Sequence, residues 1–196
     1  MDQRRRLVLA STSRYRKDLL ARLGLAFETA APDVDEAMHA GEAPADTALR
    51  LSVLKARAVQ ARFPDSLVIG SDQVASCGGQ RYGKPGDHDN AVRQLRSLSG
   101  KAAEFDTAVS LLDTNTDHIQ SRLVPCCVTF RTLDDATIEA YLRRERPYDT
   151  SASAKAEGLG IALIARIETD DPSSLIGLPL IALTEMLGRA GLPVLP

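Results

Sequence analysis

The sequence predicts an α/β protein built on a mixed sheet. Short apolar runs such as Leu7–Ala10 and Leu67–Gly70 have strand length and end in polar or turn-forming residues. Other segments carry apolar residues at helical spacing, with Leu19, Leu20 and Leu23 in one and Leu51, Leu54 and Ala58 in another. The two kinds do not alternate strictly, since residues 104–131 read as successive strands around the polar turn "DTNTD". A purely parallel sheet requires that alternation, so a mixed sheet is expected.

The elements follow in order. Leu7–Ala10 is a strand, and "STS" then offers N-cap residues to a helix over Arg14–Leu23, closed by Gly24. Ala26–Ala31 reads as a second strand stopped by Pro32, followed by the acidic loop "PDVDEAMHAGEAP". Asp46 or Thr47 caps a long helix reaching Arg62, with Phe63-Pro64 ending it. Leu67–Gly70 is a buried strand, and Ser71 and Asp72 stand at its exit. Gly78-Gly79 signals a hairpin, Gly83–Gly86 a turn, and Asp87 or Asp89 opens a helix to Leu98 that Gly100 closes. After the strands Glu104–Leu112 and Ile119–Arg131, Asp134 or Asp135 caps a helix carrying Ile138, Tyr141 and Leu142. "EGLGIALIARI" is a glycine-rich entry to a strand, and "LIGLPLIALTEMLGRAG" ends in a helix with Leu180, Leu183 and Leu187 inward. No repeat, low-complexity tract or linker divides the chain, so one domain over residues 1–196 is expected.

Composition narrows the function. The 196 residues suffice for a sizeable core, and 44% hydrophobic with 26% charged is ordinary for a globular protein. A net charge of −2, 4% aromatic residues and no Trp argue against a nucleic-acid partner. No apolar stretch approaches the ~20 residues of a membrane span, and the run at Leu7–Ala10 is too short for a signal peptide. Cys77, Cys126 and Cys127 form neither a disulfide framework nor a zinc pattern, and His39, His88 and His118 share no ligand spacing. A cytoplasmic, reduced protein is expected.

Six stretches can carry chemistry, the first five with a plainer reading beside them. "ASTSRYRK" leads into a helix N-terminus whose free N–H groups and dipole attract anions. Arg14 and Arg16 have the wrong sign for that dipole unless an anion fills the site; the plainer reading is an N-cap with exposed arginines. "DVDE", Asp33 to Glu36, offers three carboxylates to a hard cation, or is a solvated loop. Lys55 falls on the apolar stripe of its helix and either snorkels to water or turns inward. Asp72 and Gln73 follow a core strand, where α/β ligands gather, and Asp72 is a candidate general base or a turn cap. Lys84 in "YGKPG" is a phosphate contact or a solvated turn lysine. "SAKAEGLG" sets Lys155 and Glu157 ahead of glycines that let a backbone approach a ligand. Together the cations and carboxylates suit metal-assisted phosphoryl chemistry, while GxxxxGK[ST] and GxGxxG are both absent.

With these residues in view, the chain resembles the Maf family of nucleotide pyrophosphatases. The likeness runs from "LASTSRYR" through "PDVDE", "LKARAV", "IGSDQV", "GKP" and "EGLGI" to "GLPLIAL", nearly the whole chain. Tyr15 and Gln73 place it nearest the branch that hydrolyses 7-methyl-GTP, since the dTTP/UTP branch differs at both positions. The resemblance implies an elongated central sheet flanked by helices, two lobes with the site in a cleft, and an inosine-triphosphatase-like fold. It implies hydrolysis of a nucleoside triphosphate to monophosphate and pyrophosphate with a divalent cation, Mg²⁺ or Mn²⁺, and a homodimer as a family expectation. Carried over, Asp72 is the proton acceptor; Ser11, Arg16, Lys55 and Lys84 hold phosphates; Glu36, and more weakly Asp33, hold metal. Tyr15, Gln73 and Glu157 match positions that select the base. The family stretch resembling "AGSFKSEG" reads "SASAKAEG" here, with Ala152 for its glycine and Ala154 for its aromatic residue. The alternatives are a dTTP/UTP pyrophosphatase of the same family and a non-catalytic nucleotide-binding regulator of cell division.

Overall fold

Hydrophobic alternation organises the sheet. In a computed structural model, which describes residues 5–195, β1 (Arg6–Ala10) pairs in parallel with β2 (Glu28–Ala30) and with β3 (Ser66–Cys77). Leu7, Leu9, Leu67 and Ile69 point to one side of the sheet, Val8, Ala10 and Val68 to the other, as the two-residue strand period requires. The first side packs against α1 (Arg14–Ala21) and α5 (Leu180–Arg189) through Leu19, Leu20, Leu183 and Leu187. The second packs against α2 (Pro44–Ala58) through Ala56.

The chain forms two compact units. The first holds residues up to Gln73, Thr107–Val124, and from Asp171 onward; the second holds Val74–Asp106 and Pro125–Asp170. The strand order is β2-β1-β3-β5 (Ala102–Asp113)-β6 (His118–Phe130)-β7 (Ile164–Glu168), with β4 (Gln80–Arg81) on β3. In the second unit β3 turns through Gly78 (φ 58°) and Gly79 (φ 80°) into antiparallel β4 (Gln80–Arg81), and positive φ at both positions is what such a two-residue turn demands. There α3 (His88–Leu98) packs on α4 (Asp135–Glu145), and β7 (Ile164–Glu168) pairs antiparallel with β6. The mixed α/β architecture is the expected one. Among the described residues no helix is long and apolar enough to cross a membrane.

Several boundaries differ from expectation: α1 stops at Ala21 rather than Leu23, and β2 covers only Glu28–Ala30 of the expected Ala26–Ala31. Helix α2 starts at Pro44, two residues before the anticipated cap, because proline's missing N–H and fixed φ suit the first helical position. It ends at Ala58, and a separate 3-10 turn covers Gln60–Arg62. Strand β3 runs to Cys77, so Ser71, Asp72 and Gln73 lie within it rather than at its exit. Each finds a side-chain or backbone partner, so the polar residues do not end the strand.

Candidate active site

The site in the first unit starts from a glycine. A Cβ on Gly70 would stand 2.0 Å from the Ser52 carbonyl oxygen and 2.7 Å from the Ala56 backbone nitrogen, so the backbone of α2 lies directly on the strand. Lys55, in that same turn, runs along the strand to Asp72, two residues beyond Gly70 on the same side. Its Nζ donates to Asp72 Oδ1 at 2.6 Å and sits 2.8 Å from Glu36 Oε1. Lys55 is 4% exposed and Asp72 7% exposed. Lys55 therefore turns inward, because a buried ammonium requires an opposite charge and Asp72 supplies it. Glu36 reaches this cluster from the acidic loop with an exposed side chain. Asp72 Oδ2 accepts no hydrogen bond among the described residues, so one oxygen of a fixed carboxylate stays available.

The loop after β1 forms around Ser11, whose Oγ accepts from the Ser13 N–H at 3.1 Å, and Ser13 caps α1 by accepting from the Arg16 N–H. Arg16 donates through Nε to the Gly177 carbonyl at 2.8 Å. Loss of hydration pushes the Arg16 pKa down from the ordinary guanidinium value, and the Asp72 and Glu36 carboxylates oppose that shift. Tyr15 receives the Arg14 guanidinium over its ring at 4.7 Å and at its hydroxyl at 2.7 Å. Gln73 spends its amide N–H groups on Thr107 Oγ1, Ser174 O and Leu175 O, leaving Oε1 without a partner among the described residues.

Ser11, Arg16, Lys55, Glu36 and Asp72 thus belong to one unit, and Lys55, Glu36 and Asp72 meet directly. Asp33 is exposed and makes no hydrogen bond or ion pair with the described residues. Gly177 and Thr107 went unsingled in the sequence, and Ser71 was read only as standing at the exit of a strand. The available signals were a serine inside an apolar run and a glycine in "LIGLPL"; at φ 116° Gly177 occupies a backbone region that favours glycine.

In the second unit Lys84 and Glu157 are exposed and unpaired among the described residues. The Gly83–Gly86 turn is braced by Asn90 Nδ2 on Pro85 O at 3.0 Å and by Gln94 Nε2 on Gly83 O at 3.1 Å. Gln94 Oε1 accepts from Ser153 Oγ at 2.7 Å, so one side chain ties the Lys84 turn to the "SAKAEGLG" loop. That loop packs on α4: Lys155 Nζ bonds Glu145 Oε1 and the Leu159 N–H bonds Glu145 Oε2, both at 2.7 Å. The glycines serve this internal packing. A Cβ on Gly158 would meet the Glu145 carboxylate at 2.6 Å, and one on Gly160 the Lys155 backbone at 2.5 Å. Ala152 adopts φ 58°, the left-handed region in which the family stretch has glycine.

The donors suit a hard cation in one particular way. Among the described residues no three His, Cys, Asp or Glu side chains form a metal cage. The carboxylates of Asp72 and Glu36 nonetheless converge on one point, which Lys55 Nζ occupies. Mg²⁺ is ordinarily held by one or two carboxylates together with substrate phosphates, and this pair fits that mode.

The Maf-like protein family matches residues 6–190. A 7-methyl-GTP pyrophosphatase of Thiobacillus denitrificans is 58% identical over 96% of this chain and 94% of its own length. One of Bordetella pertussis is 58% identical over 95% and 93%, and one of Albidiferax ferrireducens 54% identical over 97% and 96%. The chain belongs to the Maf family. Among solved structures, the Ham1 protein of Staphylococcus aureus has a TM-score of 0.46 at 15% identity, covering 65% of this chain and 73% of that one, too slight a likeness to carry an argument.

Proposed function

We propose that this protein hydrolyses 7-methyl-GTP to 7-methyl-GMP and pyrophosphate, removing a modified nucleotide. The observation that carries the mechanism is Asp72, buried, held at Oδ1 by Lys55, with Oδ2 unengaged. Oδ2 accepts the proton of a water whose oxygen attacks the α-phosphorus, and the bond from that phosphorus to the bridging oxygen breaks as pyrophosphate leaves. Lys55 keeps the carboxylate oriented, and Lys55, Arg16 and Ser11 draw the phosphates to it. Glu36 and Asp72, with Asp33 on the same acidic loop, would hold a divalent cation, which when bound neutralises charge on the phosphate oxygens. Lys84 and Glu157 retain the phosphate and base roles that the resemblance implies.

The methylated guanine is supported by Tyr15. Its ring already accepts one cation, the Arg14 guanidinium, and a positively charged base gains the same interaction, roughly 1 kcal/mol. Gln73, its N–H groups spent, offers only Oε1, an acceptor suited to a base N–H. The names of the relatives agree with this substrate. The enzyme is read as cytoplasmic, and its three cysteines are free thiols.

The test is pyrophosphate release from a panel of canonical and methylated nucleoside triphosphates, with Mg²⁺ or Mn²⁺ and with chelator. Metal-dependent turnover preferring 7-methyl-GTP is expected. Asp72→Asn should be less stable, since Lys55 loses its buried counter-charge, and the fraction that remains folded should lose about 10²–10⁴ in rate, the usual worth of a positioned general base. Normal turnover by that variant would reject the role of Asp72. Preference for dTTP or UTP would reject the base assignment.

A further inference from the structure

The Gly177 carbonyl receives two hydrogen bonds, from Arg16 Nε at 2.8 Å and from Ser71 Oγ at 2.9 Å. Bonding at Nε fixes the guanidinium plane and leaves both Nη groups, which make no hydrogen bond among the described residues. The turn that presents this carbonyl is itself tied to the sheet. Thr107 Oγ1 on β5 donates to Ser174 O at 2.9 Å, and Gln73 Nε2 on β3 donates to Ser174 O, Leu175 O and Thr107 Oγ1 at 2.9 to 3.1 Å. Ser71 and Thr107 are both fully buried, so these hydroxyls are not diverted to solvent.

Alternation along β3 gives the arrangement its meaning. Asp72 faces α2 and Lys55, while its neighbours Ser71 and Gln73 face the Ser174–Gly177 turn. One strand therefore positions the carboxylate on one side and the anchor of the arginine on the other. A hydroxyl required only to satisfy the sheet would bond the strand alone; the single Ser71 hydroxyl proton is shared between Ala108 O on the sheet and the Gly177 carbonyl that holds Arg16.

We infer that Ser71 and Thr107 are positioning residues, which act through the Gly177 carbonyl to aim the Arg16 guanidinium at a phosphate oxygen. This rests on the reading of Arg16 as a phosphate ligand. The experiment is a double-mutant cycle of Ser71→Ala with Arg16→Lys, since lysine carries no Nε–H to meet Gly177. The readouts are the Kd for pyrophosphate by calorimetry and kcat/KM for 7-methyl-GTP. Ser71→Ala alone is expected to weaken pyrophosphate binding about tenfold, the usual worth of one hydrogen bond that orients a charged group. In the Arg16→Lys background the same change should cost less than about twofold, because the residue it acts through is gone. Equal losses in both backgrounds would mean that Ser71 only supports the fold, and would overturn the inference. Thr107→Val is run through the same cycle and decides the matter if Ser71→Ala does not fold. Wild-type protein that binds pyrophosphate but does not turn over 7-methyl-GTP would refute the substrate alone, and the binding cycle would still decide the inference. Wild-type protein that does not bind pyrophosphate, or an Arg16→Lys variant that binds it as tightly as wild type, would overturn it.

Discussion

Gly70→Ala adds one methyl group where the structure has no room for it. The new carbon would lie 2.0 Å from the Ser52 carbonyl oxygen, and ordinary contact begins at 3.4 Å, so that oxygen must retreat by about 1.4 Å. Both obstructing groups, Ser52 O and Ala56 N, are backbone, so no side-chain rotation relieves the clash and α2 itself must shift. Lys55 lies in the shifted turn. A rigid displacement of that size takes its Nζ from 2.6 Å to about 4 Å from Asp72 Oδ1, beyond hydrogen-bonding distance. Overpacking of this kind costs about 1–3 kcal/mol, and a buried ion pair pulled apart adds to it. The assay is chemical denaturation alongside pyrophosphate release. A loss of about 2–4 kcal/mol is expected, with turnover reduced even in the fraction that remains folded. An unchanged denaturation midpoint, or a destabilised variant with wild-type kcat, would refute the claim that Gly70 sets the approach of Lys55 to Asp72.

Three further outcomes are expected. Glu157→Gln should narrow the preference for 7-methyl-GTP over other triphosphates, and unchanged relative kcat/KM values would remove Glu157 from base selection. The Lys155 ammonium and the Leu159 N–H hold the Glu145 carboxyl below its ordinary range. A depressed carboxylate contributes fully above its unfolded value, about 4.3, and that contribution is lost as pH falls through the lower folded value. Protection of the Leu159 amide against hydrogen exchange, corrected for intrinsic rates, should therefore hold from neutral pH to near the ordinary carboxylate range and fall in stronger acid; pH-independent protection would refute the brace. Burial pushes the Cys126 thiol up to about 11, so native protein should resist iodoacetamide at that residue at pH 8 and react there only once unfolded.

Much of the architecture was legible locally. The Gly78-Gly79 hairpin, the Asp87 and Asp134 caps and the two strands around "DTNTD" are set by residues adjacent in the chain, and they form where expected. The length of β3 was not legible, because Ser71, Asp72 and Gln73 look like strand-ending residues until their distant partners are known. The same limit applied to Lys55, whose choice between water and the interior depended on a carboxylate seventeen residues away.

The sequence by itself determined the family, the order and type of the elements, and which residues are chemically able to handle phosphate. Those properties reside in residue identity and short-range spacing. Tertiary structure alone decided how they are combined: that Gly70 admits the backbone of α2, that Lys55 rather than solvent faces Asp72, and that Ser71 and Gln73 point to the turn holding Arg16. Each of these depends on which face of a strand meets which helix or turn. That choice is made by the burial of the whole core and by the pairing that buried polar groups require.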